Sequence, residues 1–226
     1  MCGCGKGERL AVYVEAFGRW VHSKWCAECD AKQKVIAEKA EAVAKVADIE
    51  RKIERCIPEI YLGARLADIQ PDVLAMLKTK QPEQGIYLWG DVGRGKTHTA
   101  SAIAINAIQQ GKSVKRAAFK DITDKIQETF TNYGSAEMIY KRYIQANLLV
   151  IEDLGTGKTG GIESDFNQET LLKLIDRRSE AKKPTIITSN LSPEILGESF
   201  GTRILSRLST FLIIKLTGTD RRSSGN

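Results

Sequence analysis

A chain of 226 residues with 42% apolar and 27% charged residues can bury one α/β core of ordinary size plus an appendage, and is too evenly mixed to be fibrous or disordered. No apolar run approaches the roughly 18 residues of a bilayer span, and the N-terminus is charged and cysteine-bearing where a secretory signal would be apolar, so a cytoplasmic location with no membrane contact is expected. The net charge of +6 is compatible with a nucleic-acid partner, but 34 basic residues are spread among 28 acidic ones, so charge alone gives only a modest push toward DNA or RNA.

Four of the five cysteines lie in the first 29 residues, as Cys2-x-Cys4 and Cys26-x-x-Cys29. A reducing compartment disfavours disulfides, so the two pairs read as thiolate ligands of one tetrahedral Zn²⁺ stapling a segment too small to fold alone. Cys-x-Cys is tighter than the usual knuckle spacing, and free thiols or a redox pair stay open as alternatives. His22, among Tyr13, Phe17, Trp20 and Trp25, is either a substitute ligand or a neighbour of an apolar cluster. From Asp30 to about Cys56 the chain is rich in Ala, Lys and Glu, with Val35, Ile36, Val43, Val46, Ile49, Ile53 and Ile57 at mostly helical spacing. That pattern predicts one long amphipathic helix, either docked on its own core or offered to a partner. Cys56 reads as a small buried apolar residue. Pro58 ends the helix, and a linker with a short helix, Asp72 to Lys80, follows. The expected division is residues 1–57, a cysteine-rich and helical partner-binding region, 58–84, a linker, and 85–226, a nucleotide-binding domain.

The apolar run Ile86 to Trp89 leads directly into Gly90-Asp91-Val92-Gly93-Arg94-Gly95-Lys96-Thr97, and a helix-like run, Thr99 to Ile108, comes after His98. This is G-x-x-x-x-G-K-[ST] between a strand and a helix, the setting of a phosphate-binding loop. Glycines let successive N–H groups converge on phosphates at a helix N-terminus. Lys96 would neutralise the β- and γ-phosphates, and the Thr97 hydroxyl would ligand Mg²⁺. A second strand is expected at Val114 to Phe119, then helices from Asp121 to about Tyr133 and from Ser135 to Gln145.

The run Leu148-Leu-Val-Ile-Glu152-Asp153 describes a buried parallel strand delivering two carboxylates beside that loop. By position Glu152 is the metal-side acid and Asp153 the one that polarises the attacking water. The common order in such ATPases is Asp then Glu, and the shorter catalytic side chain suggests slow hydrolysis. Glu169 to Ala181 reads as a helix and Pro184 to Asn190 as a strand whose Asn190 is placed to touch the γ-phosphate or its attacking water. A helix from about Ser199 to Leu208 carries Arg203 and Arg207 on one face, as a solvated stripe or as an arginine finger for a neighbouring subunit. Phe211 to Leu216 supplies a fifth strand, and no helical lid domain is expected after it.

Together, Gly90 to Thr97, Leu148 to Gly155, Ile175-Asp-Arg-Arg-Ser179 with Lys183-Pro184-Thr185, Thr188-Ser-Asn190 and Gly201-Thr-Arg203 to Leu208 resemble the DnaC/IstB group of AAA+ ATPases over roughly residues 58–220. Within it the Asp-Arg-Arg-Ser stretch looks closer to DnaC-type helicase loaders, including phage-encoded ones, than to IstB transposition ATPases. The resemblance implies a P-loop AAA+ α/β core with a five-stranded parallel sheet between helices. It also implies ATP and Mg²⁺ as cofactors, and self-association through the AAA+ interface. Family members grip the hexameric replicative helicase through the N-terminal region and bind single-stranded DNA with the core. By position, Lys96 and Thr97 hold nucleotide and metal, Glu152 and Asp153 form Walker B, Asn190 is sensor 1, and Arg207 is the finger with Arg203 beside it. The segment Gly155 to Phe166 matches a DNA-facing insertion in which Lys158 would touch phosphate and Phe166 stack on a base, and Phe130 occupies another DNA-linked aromatic position. The cysteine module departs from the enteric loader, although zinc-binding N-termini occur among related loaders. The reading is an ATPase loader of the replicative helicase. The alternative is an IstB-like regulator of transposition that assembles on duplex DNA.

Overall fold

The computed structural model describes residues 4–5, 8, 11–14, 18–22, 26–79, 85–132, 134–155 and 161–218. The chain divides into two compact units, Met1–Arg51 and Lys52–Asn226. Among the described residues no helix is long and apolar enough to cross a membrane.

In the first unit, β1 (Ala11–Val14) and β2 (Arg19–His22) form an antiparallel ribbon, a hairpin that the sequence reading did not anticipate. Helix α1 (Ala27–Cys56) opens with acidic residues in its first turn, as its dipole favours. Exposed i,i+4 pairs line it, Glu28 with Lys32 at 2.7 Å, Asp30 with Lys34 at 3.0 Å and Glu41 with Lys45 at 2.7 Å. Solvent screening leaves each of these exposed pairs a weak contributor. None of the helix's residues is buried, and Val35, Ile36, Val43 and Val46 stand exposed.

The second unit is a five-stranded sheet flanked by helices. Two short 3-10 turns, Glu59–Tyr61 and Leu66–Asp68, and α2 (Pro71–Thr79) lead to β3 (Gly85–Trp89), α3 (Lys96–Gln109), β4 (Val114–Ala118), α4 (Phe119–Thr131) and α5 (Ala136–Ile144). Then come β5 (Leu148–Leu154), α6 (Asp165–Glu180), β6 (Thr185–Ser189), α7 (Pro193–Phe200), α8 (Thr202–Leu208) and β7 (Leu212–Lys215). The strands lie in the order β4-β5-β6-β3-β7, all parallel, with the loop-bearing β3 between β6 and β7. Side chains alternate between two apolar layers. Leu148 and Val150 face the layer built on Ala100, Ala104 and Ile105 of α3, while Leu149 and Ile151 face the layer with Ile122 of α4 and Leu171 of α6. Burial on both faces explains the unbroken apolar runs of β3 and β5.

In the second unit α6, α7 and α8 differ from the sequence reading, each for a local reason. Helix α6 starts at Asp165, not Glu169, because the Ser164 hydroxyl accepts the Asn167 N–H as a cap. Helix α7 was missed, although Ser192 caps it and Pro193 occupies its first turn. The helix placed from Ser199 is broken at Gly201, whose φ of 89° lies in the left-handed region, and α8 begins after it.

One buried cation joins these layers. Arg178 of α6 is fully buried and donates to the carbonyls of Tyr143 at 2.7 Å, Ile144 at 3.1 Å, Ala146 at 2.9 Å and Pro184 at 2.6 Å, and to Thr185 Oγ1 at 2.9 Å. Burial pushes its pKa down to about 10, so it stays charged at neutral pH. It thereby ties the end of α5 and the entries to β5 and β6 to one helix. Arg178→Ala leaves these acceptors without their donor and should lower unfolding stability by about 4 kcal/mol in a denaturant titration. Lysine, a point charge without the planar fork, should recover only part of that loss.

Candidate nucleotide site

The strand-to-helix turn after β3 is shaped by glycines. A Cβ on Gly90, at φ 139°, would lie 2.5 Å from the Leu216 carbonyl oxygen, and Gly95, at φ 84°, turns the chain into α3. Lys96 is buried at the start of α3, and its Nζ arches back to donate to the carbonyls of Gly90 and Asp91, both at 2.7 Å. Arg94 pairs with Asp91 across the loop at 3.6 Å.

A cavity of about 620 Å³ opens over this turn, lined on the loop side by Val92, Gly93, Gly95, Lys96, Thr97 and His98. Asp153 and Asn190 line it from the ends of β5 and β6. Its remaining wall is Ile60 and Tyr61, from the 3-10 turn Glu59–Tyr61, with the Tyr61 ring edge-on to His98 at 6.4 Å between centroids. The sequence reading left these two residues in a linker; the available signal was a pair of large apolar residues directly after Pro58, ahead of a phosphate loop. A nucleotide-sized hollow with an apolar, aromatic end and a cationic, amide-rich end suits a base at one side and phosphates at the other.

The two acids of β5 part company at a bulge. Ile151 pairs with Ile187 but Leu154 pairs with Ser189, so three steps on β5 oppose two on β6. The extra residue is absorbed at Asp153, whose φ is 53°, and Leu154 returns to the same apolar layer as Ile151. Bulges of this kind re-aim side chains next to functional sites. The bulge is held by neighbours: the Asp153 N–H donates to Thr188 Oγ1 at 3.2 Å and Ser189 Oγ donates to the Leu154 carbonyl at 2.7 Å. The buried Tyr87 hydroxyl donates to the Leu191 carbonyl at 2.9 Å, steadying the turn that carries Asn190.

Asp153 thus faces the cavity, whereas Glu152 does not line it. Glu152 receives a two-pronged ion pair from Arg116 of β4, Nε to Oε2 and Nη2 to Oε1 both at 2.7 Å, and Arg116 Nη1 also reaches Ser101 Oγ at 3.2 Å. The Arg116 side chain is only 5% exposed, so this is a largely desolvated pair one helical turn behind Thr97. Asp153 also stands in the wall of a second recess, of about 310 Å³, that runs past Phe119, Thr123 and Asn167.

The other expected site residues lie apart from the cavity. Arg207 donates through Nε to Asp176 Oδ1 at 2.8 Å, and Arg203 is exposed one turn earlier on α8. Phe130 is 67% exposed on α4 and meets Phe166 of α6 edge-to-face, with ring centroids 6.0 Å apart, so the two aromatics expected to face DNA share one patch. Lys158 lies outside the described residues.

In the first unit the Sγ atoms of Cys4, Cys26 and Cys29 lie within 4.8 Å of one another, with Cys4 and Cys26 at 3.6 Å. Zn–S bonds of 2.3 Å in a tetrahedron put sulfurs about 3.8 Å apart, so the triad fits three corners of such a site. Cys2 and the His22 side chain lie outside the described residues. Cys56, expected to be buried, belongs to the second unit and is only partly buried there, and that partial burial raises its thiol pKa.

Residues 34–212 match the profile of the IstB-like ATP binding protein family. Over 120 residues the chain is 32% identical to the replicative helicase loader DnaC of Escherichia coli K12, an alignment covering 53% of this chain and 47% of that protein. The chain therefore spans about half the length of the curated relatives it matches. Its fold is shared with the crystal structure of the DnaC helicase loader, at a TM-score of 0.59 and 21% identity over 71% of this chain and 100% of that one. It is shared equally with replication initiator DnaA bound to AMPPCP and single-stranded DNA, at a TM-score of 0.62 and 18% identity over 72% and 51% of the two chains. With the profile running from within α1 to the first residue of β7 on an AAA+ sheet, the chain belongs to the IstB-like ATP-binding protein family.

Proposed function

We propose that this protein is an ATP-driven loader that places a hexameric replicative helicase on single-stranded DNA at the start of replication, in the cytoplasm. The observation that carries the reading is the convergence of the phosphate loop, Asp153 and Asn190 on one cavity, in a chain 32% identical over 120 residues to a DnaC loader. In this reading Ile60, Tyr61 and His98 cover the base, and the amides of Gly93 to Thr97 cradle the phosphates at the N-terminus of α3. Lys96 exchanges its carbonyl partners for phosphate oxygens, and Thr97 presents its hydroxyl to Mg²⁺. The metal, when bound, neutralises phosphate charge. Asp153 and Asn190 hold and polarise the attacking water. Glu152 approaches the metal side only when its pair with Arg116 opens, which makes the resting protein a slow ATPase. Arg203 and Arg207 lie away from their own chain's cavity, where a finger serving a neighbouring copy would lie, and Arg203 is the more exposed.

Hydrolysis separates these roles. Lys96→Ala should weaken ATP binding by about 30–100-fold, the worth of charge-assisted hydrogen bonds, as measured with a fluorescent nucleotide. Asp153→Asn should keep binding and lower single-turnover hydrolysis by about 100-fold or more. Full activity in Asp153→Asn would move the catalytic acid to Glu152.

The DNA face of the core is the Phe130–Phe166 patch, which offers bases a stacking surface. Residues 1–57 form the partner-gripping region, its contact stripe Val35, Ile36, Val43 and Val46, and residues 85–226 carry the ATPase, joined through 58–84. Copurification with the host's hexameric replicative helicase, and ATP-dependent transfer of that helicase to a single-stranded circle, test the reading. Val43→Glu with Val46→Glu should abolish both while leaving ATP binding intact. The family's name supports one competing reading, a regulator of transposition assembling on duplex DNA. Retention of a transposase and duplex DNA, with no helicase, would establish that reading instead.

The thiolate triad, with Cys2 or His22 as fourth ligand, holds one structural Zn²⁺ in this proposal. Elemental analysis should find about one zinc per chain. Cys26→Ser with Cys29→Ser should lose it together with helicase capture, and should leave nucleotide affinity within about twofold, because additivity holds for distant sites.

A further inference from the structure

At the far end of α3 from the phosphate loop lies another recess, of about 390 Å³, beside Ile108 and Gly111. The 14 residues of α3 rise about 21 Å, so this recess is well separated from the nucleotide cavity. Six cations line it: Lys52 and Arg55 from the end of α1, Lys112 from the turn after α3, Lys115 and Arg116 from β4, and Arg142 from the last turn of α5. No acidic side chain is among its lining residues. The chain as a whole intersperses 34 basic with 28 acidic residues, so an all-basic wall is a local departure from that mixture. Arg116 is neutralised by Glu152 beneath the wall, while Arg55, Lys112, Lys115 and Arg142 take part in no ion pair among the described residues. Their mutual repulsion is a standing cost that an anionic occupant would relieve. The wall is also firm: Ser113 donates N–H and hydroxyl to Asn147 Oδ1 at 2.9 and 2.8 Å, and its Oγ accepts the Asn147 N–H at 3.0 Å.

We propose that this recess binds the sugar-phosphate backbone of single-stranded DNA, as a second contact separate from the aromatic patch on α4 and α6. The inference rests on the proposed DNA-loading function and adds to it a site and a mode. The lining holds no aromatic ring, so it grips phosphates and reads no base, and the contact is independent of sequence. A hollow of this volume admits one flexible strand, whereas duplex DNA presents only the outer ridge of its backbone to a concave wall. Arg116 belongs both to the basic wall and to the Glu152 pair, so a phosphate seated here competes with Glu152 for the guanidinium and loosens an acid beside the ATP cavity.

The test is titration of a fluorescent single-stranded oligonucleotide with full-length protein and ATP over a range of salt concentrations, for wild type, Arg55→Ala with Lys112→Ala, and Phe130→Ala. A control, Lys32→Ala with Lys34→Ala, removes the same charge from α1 at a distance. The Arg55/Lys112 variant should bind roughly 10-fold more weakly, and its slope of log affinity against log salt should shrink by about 1.4, the share of two single-strand phosphate contacts. ATP affinity should not change, and Phe130→Ala should lose affinity with its salt slope intact. Unchanged binding in the Arg55/Lys112 variant while Phe130→Ala weakens would overturn this site and keep the loading function. An equal loss in the Lys32/Lys34 control would reduce the effect to bulk charge and overturn it as well. A loss confined to duplex DNA would overturn the single-strand assignment. Failure of the wild type to bind any strand would sink the DNA function and this site together.

Discussion

The chemistry of the second unit depends on the one extra residue that β5 carries against β6. A regular strand would send residues 149, 151 and 153 to one apolar layer and 150, 152 and 154 to the other, burying a carboxylate in hydrocarbon. The bulge lets Leu154 rejoin the layer of Ile151 and turns Asp153 out at φ 53°, into the wall of the cavity above the phosphate loop. Two hydroxyls of β6 hold the distortion in place, Thr188 under the Asp153 amide and Ser189 under the Leu154 carbonyl. β6, which leads into Asn190, therefore also fixes Asp153, and one piece of sheet positions both residues that line the cavity from this side.

Glu152, on the regular side of the bulge, meets a different constraint. A carboxylate mostly out of water needs a partner, and Arg116 of the neighbouring strand meets it with both prongs. Removing one member of such a pair costs far more than the pair contributes, because the survivor is left charged and desolvated. The pair therefore acts as a positional constraint more than a source of stability. It sets where Glu152 rests and makes its release depend on what happens to β4.

Much of this was legible in the sequence. The phosphate loop needs glycines, a lysine and a hydroxyl in fixed order, and the parallel strands are apolar throughout, so both announce themselves in one dimension. The Asp-Arg-Arg-Ser stretch that carried much of the resemblance proves to be structural: Asp176 pairs with Arg207, and Arg178 gathers the carbonyls that enter two strands. Most of its meaning depends on contacts 31 to 35 residues away along the chain, which no local pattern encodes. For the same reason Ile60 and Tyr61 escaped notice. They belong to a short 3-10 turn and join the cavity only because the chain returns to His98. The bulge was illegible as well: position in the strand separates the roles of Glu152 and Asp153, but only the register against β6 shows that Asp153 alone lines the cavity.

The first unit poses a different physical problem. Two strands of four residues each make a ribbon that is marginal in water on its own, and α1 buries none of its side chains. Among the residues of this unit whose side chains are described, only Cys26 is buried. A segment with so little core has to obtain its stability from something other than apolar burial, and small domains do so with disulfides, metals or partners. The thiols of Cys4, Cys26 and Cys29 meet at the one point where the segment before the ribbon returns to the start of the helix, which is where a single cross-link would constrain the most chain. Structural zinc contributes about 10–16 kcal/mol in comparably small modules, enough to offset the ordering of such a ribbon without any apolar core. With the proposed zinc in place, the valines and isoleucine of α1, 49–69% exposed, are not needed to hold the unit together and remain open to the proposed partner.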